Sequence, residues 1–547
     1  MALHVIAGFS CVLLIAATTG HAPRIQFQHH PISFVLETDE TVTRHVPATM
    51  AGGVAVFDYN QDGRPDIFFT NGARIDTLQK DSPKYSNRLF RNDGNGSFTD
   101  VTQAAHLGGT GYDIGVAAGD YDNDGFPDLF VAGVHHNSLY HNNRDGTFTD
   151  VSAKAGINGQ GRGSAASWSV GAAWVDVNGD GLLDLFVVNY LQWDLKSEPL
   201  CVYHNISDYC APSFYQGLPD QLFLNNGDGT FKEVSEEWGL RSFIGKGMGV
   251  GVADYDLDGR PDLFVTNDGY YNFLFHNTGE RFEEVAMQSG AALTEDANFV
   301  SGMGLDFRDM DNDGYPDIVF AAVANQTFPV FQNQHGKEFL EVTGANGMRT
   351  ASLLRSGFGV GIYDFDNDGW KDIFVSGGHV LSLMTLGTNV DEHNFFFRNP
   401  GQAGRWHSAD KDAGFESIAP ARHRGCAFGD FDGDGRVDIV VTAIGKQAEL
   451  WMNRTKPSGH WLDIQLQGTR SNRDGIGARI KLQSKSGVQF NHMTTTAGYA
   501  SSSDGPVHFG LGMDTQAEII AIDWPSGIVQ RLKNVRADRV IRVTEQQ

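Results

Sequence analysis

Asp364-Phe365-Asp366-Asn367-Asp368-Gly369-Trp370-Lys371-Asp372 is the clearest copy of a nine-residue stretch that the chain carries seven times. Oxygen-bearing side chains stand at positions 1, 3, 5 and 9, and glycine stands at 6. A hard cation such as Ca2+ takes six to eight oxygen ligands, and a tight loop can turn residues 1, 3 and 5 inward together. Glycine at 6 permits the sharp turn through positive φ. Position 7 varies so widely that its main-chain carbonyl is the expected ligand. Taking positions 1, 3, 5, 7 and 9 in turn, the candidate ligands are Asp58, Asn60, Asp62, Arg64 and Asp66; Asp120, Asp122, Asp124, Phe126 and Asp128; Asp176, Asn178, Asp180, Leu182 and Asp184; Asp254, Asp256, Asp258, Arg260 and Asp262; Asp309, Asp311, Asp313, Tyr315 and Asp317; Asp364, Asp366, Asp368, Trp370 and Asp372; and Asp430, Asp432, Asp434, Arg436 and Asp438.

An EF-hand needs a bidentate Glu at position 12 and flanking helices. Here position 12 is Phe or Val, inside runs such as Asp-Leu-Phe-Val that read as strand. Asp at 9 therefore closes the site, and the loop joins two strands. An acidic turn without metal is the alternative for any one copy, because Asp and Gly favour turns. Seven copies with invariant positions 1, 5, 6 and 9 favour the cation. The net charge of −26 agrees, since three or four carboxylates packed in each loop repel one another. Up to seven Ca2+ ions are expected, and binding to the folded form alone would stabilise it.

Around each loop lies a longer unit. In the second, Gly115-Val-Ala-Ala-Gly119 precedes the loop, Leu129-Phe-Val-Ala132 and Ser138-Leu-Tyr-His141 follow, and Asn142-Asn-Arg-Asp-Gly146 turns the chain into Thr147-Phe-Thr-Asp-Val151. The Asn/Asp/Gly cluster signals a hairpin. Four short strands, seven times over, predict an all-β chain with a seven-bladed β-propeller. Loop starts are 62, 56, 78, 55, 55 and 66 residues apart, so the third unit holds an insertion. Cys201 and Cys210 lie in it and are expected to pair. Cys426 is expected to be a buried, inert thiol. Residues 24–36 read as an orphan outer strand that completes the last blade.

From about residue 459 the acidic loops stop. Alternating apolar runs such as Trp461-Leu-Asp-Ile-Gln-Leu466 predict a small β-sandwich-like domain. The expected division is a signal peptide at 1–22, the propeller at 23–458 and the β domain at 459–547. The apolar run over residues 5–17 is too short to span a bilayer and has the length of a signal-peptide core. No membrane span is expected elsewhere. An acidic chain without a basic tract argues against nucleic acid.

The seven units resemble FG-GAP/VCBS repeats, the integrin α-chain type of propeller. Ser471-Asn-Arg-Asp-Gly-Ile-Gly-Ala478, His508-Phe-Gly-Leu-Gly512 and Trp524-Pro-Ser-Gly527 resemble the ASPIC/UnbV domain of the cartilage acidic protein family and its bacterial relatives. The resemblance implies Ca2+ in loops between the first two strands of each blade. It implies no agreed biochemical activity. The animal form has an EGF-like module after this domain, and the present sequence is expected to be similar to the shorter bacterial form.

The expected function is a secreted calcium-binding propeller, extracellular or periplasmic, that binds or scaffolds an extracellular protein or glycan. The alternative is an extracellular calcium-dependent carbohydrate-active enzyme, a lyase or hydrolase. No residue is nominated as catalytic: Gly-x-Ser-x-Gly and HExxH patterns are absent from the sequence. A ligand face is expected opposite the acidic loops, carrying His135, His136, Tyr270, Tyr271 and His379, with Trp193, Tyr203 and Tyr209 of the insertion covering it. Asn205, Asn325 and Asn453 head glycosylation sequons.

Overall fold

Position 9 of every acidic loop is the first residue of a strand, so the loop is the turn of a hairpin. The computed structural model describes residues 25–157, 168–203, 205–380, 390–401, 404–456 and 459–546. The expected signal peptide, 1–22, lies outside them.

Seven blades each hold four antiparallel strands, and two of these sheets gain a fifth, Ser502–Ser503 in the first and Val300–Ser301 in the fourth. Their innermost strands are Val54–Phe57, Tyr112–Gly119, Ser169–Val175, Gly247–Ala253, Leu305–Arg308, Gly357–Tyr363 and His423–Gly429. Each packs on the next, and His423–Gly429 packs back on Val54–Phe57, which closes the ring. Second strands such as Asp128–Val134 and Asp184–Asn189 are buried along their whole length, and Asp262–Tyr270 along all but its last two residues. Sandwiching between neighbouring blades explains why they are apolar throughout rather than alternating. The last blade takes its outer strand from the other end of the chain. Phe27–Val35 pairs antiparallel with Gln447–Asn453, with Phe27 opposite Asn453. This covers an edge that would otherwise offer unpaired backbone groups.

Beyond the propeller, two sheets face each other. Val507–Gly512, His460–Gln467 and Arg539–Thr544 form one; Val488–His492, Arg479–Gln483, Gln516–Asp523 and Val529–Arg536 form the other. Leu462 and Ile464 meet Ile480, Leu482, Ile520 and Ile522 between them, and this core runs on to Trp174 and Leu185 of blade 3. The sandwich docks on the acidic-loop side of the ring. Asp120 N–H donates to Asp474 Oδ2 (2.8 Å), Arg473 N–H to Asn123 Oδ1 (2.7 Å), and the Arg479 guanidinium to Gly314 O (3.0 Å).

One segment of this domain enters the ring. Ser502–Ser503 lies parallel to Ala55 and Val56 of blade 1. Val116 N–H of blade 2 donates to Ala500 O (3.0 Å), and Leu305 of blade 5 exchanges both backbone bonds with Gly498 (3.1 and 3.2 Å). The hydroxyls of Ser501, Ser502 and Ser503 accept from Val54, Ala118 and Phe428 N–H. Tyr499 reaches furthest, donating to Met50 O at 2.8 Å. The inner strands thus find partners for polar groups that face the axis. Their glycines leave the room: a Cβ on Gly53 would stand 2.2 Å from Ala500 O.

At the opposite end the insertion folds over the axis. Cys201 and Cys210 are joined by a disulfide. Trp193 and Tyr209 are buried in the same cluster as Met50 and Tyr499, and Tyr209 OH donates to Glu40 (2.6 Å). Cys426 is free and buried.

Candidate functional site

The seven loops share one backbone scaffold. The carboxylate at position 1 accepts the N–H of position 6, as Asp58 does from Gly63 (2.7 Å) and Asp364 from Gly369 (2.7 Å). The glycine at 6 has positive φ in every copy, from +77° at Gly435 to +97° at Gly314. Position 5 accepts the N–H of position 7, as Asp124 does from Phe126 (2.9 Å). Position 9 accepts two backbone N–H groups in most copies: Asp66 from Tyr59 (3.3 Å) and Asn92 (2.7 Å). The scaffold brings carboxylate oxygens from three loop positions close together in several copies.

The structure draws together Asp120, Asp122 and Asp124; Asp254, Asp256 and Asp258; and Asp309, Asp311 and Asp317, with one ligand atom from each within 4.8 Å of the others. Burial pushes the position 9 carboxyls up, to about 8 at Asp66 and Asp184, helped by the neighbouring loop carboxylates. Asp120 rises to about 9 through burial and the facing Asp474. Asp317, Asp364, Asp372 and Asp438 are raised well above the usual carboxylate range, burial again leading. Blade 6 adds a specific test of fit. Asp366 Oδ1 and Asp372 Oδ2 are buried and accept no hydrogen bond. Buried oxygens without donors are expected where a cation supplies the missing partner. The donor set fits a hard dication.

Two features escape the sequence pattern. First, position 7 is more than a carbonyl. Arg64, Arg260 and Arg436 each donate Nε to the carbonyl of a third-strand asparagine and pair with the position 5 Asp of their own loop. The guanidinium is long enough to bridge loop and strand while offsetting one negative charge. Second, that asparagine recurs in all seven blades: Asn92, Asn142, Asn225, Asn277, Asn333, Asn399 and Asn453. Its Nδ2 reaches position 2 of a neighbouring loop, as in Asn142 to Tyr59 O (2.9 Å) and Asn225 to Tyr121 O (2.7 Å). Asn92 to Phe431 O (3.0 Å) closes the circle. Asn453 is fully buried in this role, which removes it as a sequon in the folded chain.

The residues expected on the opposite face are engaged separately. His136 Nε2 lies 2.7 Å from buried Asp113, beside Lys80. His135 Nε2 meets Trp193 O at 2.8 Å. Tyr270 and Tyr271 pack against each other with tilted rings, centroids 4.4 Å apart. His379 is buried and held down to about 4 by burial and Arg424. Tyr203 of the insertion is partly exposed.

Ring, loops and docked sandwich define a class: a seven-bladed propeller whose inter-strand turns are acidic loops with carboxylates clustered closely enough to hold a metal ion. The FG-GAP-like repeat model matches residues 58–131, 120–187, 209–265, 254–320, 309–375 and 364–441, and the ASPIC and UnbV model matches 468–547. The chain belongs to the FG-GAP-like repeat family and carries a C-terminal ASPIC and UnbV domain. It is similar to cartilage acidic protein 1 of Xenopus tropicalis, 26% identical over 367 residues, covering 65% of this chain and 51% of that protein. The Homo sapiens protein of that name is 26% identical over 371 residues, 65% and 50%. The chain thus spans about half the length of these relatives. Among solved structures, a lectin of Agrocybe aegerita that recognises non-reducing terminal N-acetylglucosamine overlaps 73% of this chain and 87% of its own, at 15% identity and a TM-score of 0.40. No helix among the described residues is long and apolar enough to cross a membrane.

Proposed function

We propose that the protein is a secreted calcium-binding propeller that serves as an extracellular binding or scaffold platform for a protein or glycan. The observation that carries the calcium reading is the pair of buried oxygens without donors in blade 6, Asp366 Oδ1 and Asp372 Oδ2. They sit in a loop whose four carboxyls are all raised by burial, as they would be where a dication belongs. The Cys201–Cys210 disulfide supports an oxidising compartment. Relatives named for cartilage support an extracellular setting. The loops hold the ring and dock the C-terminal sandwich, which favours a structural role for the ions.

Calorimetric titration of EDTA-stripped protein with Ca2+, with melting followed in parallel, tests this reading. About seven equivalents and a clear rise in Tm are expected. Absence of both heat and thermal shift would reduce the loops to acidic turns.

A further inference from the structure

Blades 2 and 4 differ from the others in one side chain. His141 and His276 stand one residue before the asparagines Asn142 and Asn277 on the third strand. The same place holds Arg91, Leu224, Gln332, Arg398 and Met452 in blades 1, 3, 5, 6 and 7. Each imidazole turns Nδ1 into its own acidic loop. His141 Nδ1 lies 3.4 Å from Asp122 Oδ2 and 3.2 Å from Asp128 Oδ1. That nitrogen is buried and has hydrogen-bond geometry to neither. His276 Nδ1 lies 3.7 Å from Asp256 Oδ2 and 3.2 Å from Asp262 Oδ1. In both blades one atom from each of the three side chains falls within 4.8 Å of the others.

The ring is also held in that orientation. Tyr121, at position 2 of the blade 2 loop, meets His141 edge to face at 6.2 Å; Tyr255 meets His276 in the same way at 5.9 Å. A single His beside carboxylates is ordinarily an ion pair. Here the same Tyr, His, Asp and Asp recur in two blades, and in one of them the inward nitrogen has no hydrogen bond. Ca2+ takes oxygen donors, whereas imidazole suits Zn2+ and its neighbours. Zn2+ accepts both imidazole nitrogen and carboxylate oxygen, and catalytic zinc keeps three protein ligands with a fourth position open, the number each of these clusters supplies.

We propose that Asp122–Asp128–His141 and Asp256–Asp262–His276 are mixed nitrogen–oxygen sites that take a borderline transition-metal dication in preference to Ca2+. The proposal rests on the reading of the loops as cation sites and assigns two of them a different ion.

The test uses metal-free full-length chain, titrated with Zn2+ and separately with Ca2+, as wild type and as the double variant His141→Gln, His276→Gln. Gln332 fills this place in blade 5, so the strand accepts the substitution. About two Zn2+ equivalents are expected in the wild type, weakened at least about tenfold in the double variant, with Ca2+ stoichiometry unchanged. Co2+ in place of Zn2+ should give a visible ligand-field spectrum that the double substitution alters. A Zn2+ isotherm and Co2+ spectrum indifferent to the substitutions would overturn the proposal. Full Ca2+ binding without Zn2+ binding would overturn it and leave the calcium reading standing. Failure of both ions would overturn both.

Discussion

Position 4 of each acidic loop takes a left-handed backbone conformation, and Gln61 and Leu257 fill it less well than the Asn or Gly of the other five copies. Asn123, Asn312 and Asn367 have φ of 58°, 62° and 58°, and glycine serves in blades 3 and 7. Asn earns the place twice, because Asn123, Asn312 and Asn367 also donate Nδ2 to the position 6 carbonyl of the next loop, at 2.9–3.0 Å. Blade 4 has Leu257 at φ 62°. A branched apolar residue there costs about 1–2 kcal/mol of backbone energy. The carbonyl it would serve, Gly314 O, already accepts from Arg479. Leu257→Asn is therefore expected to stabilise the protein by about 1 kcal/mol, read from urea denaturation. The position 9 carboxyls make a second residue-scale prediction. Their folded values, about 8 at Asp66 and Asp184 and about 7 at Asp128, lie above the ordinary 3.8. Between those limits the folded, metal-free chain holds protons that the unfolded chain has released. Their contribution to stability is thus fullest near pH 4 and falls as pH rises toward 8. The Tm of EDTA-treated protein should show this slope, Asp66→Asn should flatten part of it, and saturating Ca2+ should suppress it.

The blade is stitched to its neighbour by the third-strand asparagine. In Asn92 the side chain donates to Pro65 O and Phe431 O and accepts from Gly94 N–H, so three bonds hang on one amide at the ring's seam. Asn92→Ala should cost about 3 kcal/mol in chemical denaturation, since it also leaves a buried carbonyl unpaired. Asn143→Ala, on an exposed hairpin, should stay within about 0.5 kcal/mol. Equal losses from the two would mean that the seam bond carries no special load. The contrast with the acidic loops says what a sequence can convey. Asp and Gly at fixed offsets within nine residues act on one another locally, so the clustering of the loop carboxylates, the hairpins and the four-strand unit are all legible. The orphan strand at 27–35 is legible because an unfilled edge demands one. The asparagine works on a residue of the adjacent blade, across a connection of varying length, and alone reads as a turn former. His141 and His276 are hidden in the same way: they follow Asp128 and Asp262 across connections of different length. At Arg64, Arg260 and Arg436 the side-chain variety of position 7 masks a role shared by only three copies.

At the scale of the molecule, the C-terminal sandwich acts as the hub of the ring. The backbone and hydroxyls of Thr494-Thr-Thr-Ala-Gly-Tyr-Ala-Ser-Ser-Ser503 bond inner strands of blades 1, 2, 5 and 7. The glycine-rich first strands follow from this. Gly304 faces Gly498 O, and a Cβ there would come to 2.5 Å of it, with the Phe358 carbonyl at 2.6 Å behind. Backbone meets backbone on both sides, so the strain cannot be relieved by a rotamer change; the hub segment must shift. Gly304→Ala should therefore loosen the hub without touching an acidic loop. Amide exchange is the measurement, because it reads local opening strand by strand. Protection should fall at Leu305 and Val116, whose partners are Gly498 and Ala500, and persist at Val151, which bonds Leu139 O in the body of blade 2. Loss of protection confined to the axis would establish the hub as a separable clamp on an otherwise intact ring. Loss everywhere would make hub and blades a single cooperative unit, so that the two domains fold together. Unchanged exchange at Leu305 in a folded variant would mean that the segment fills the axis without holding it.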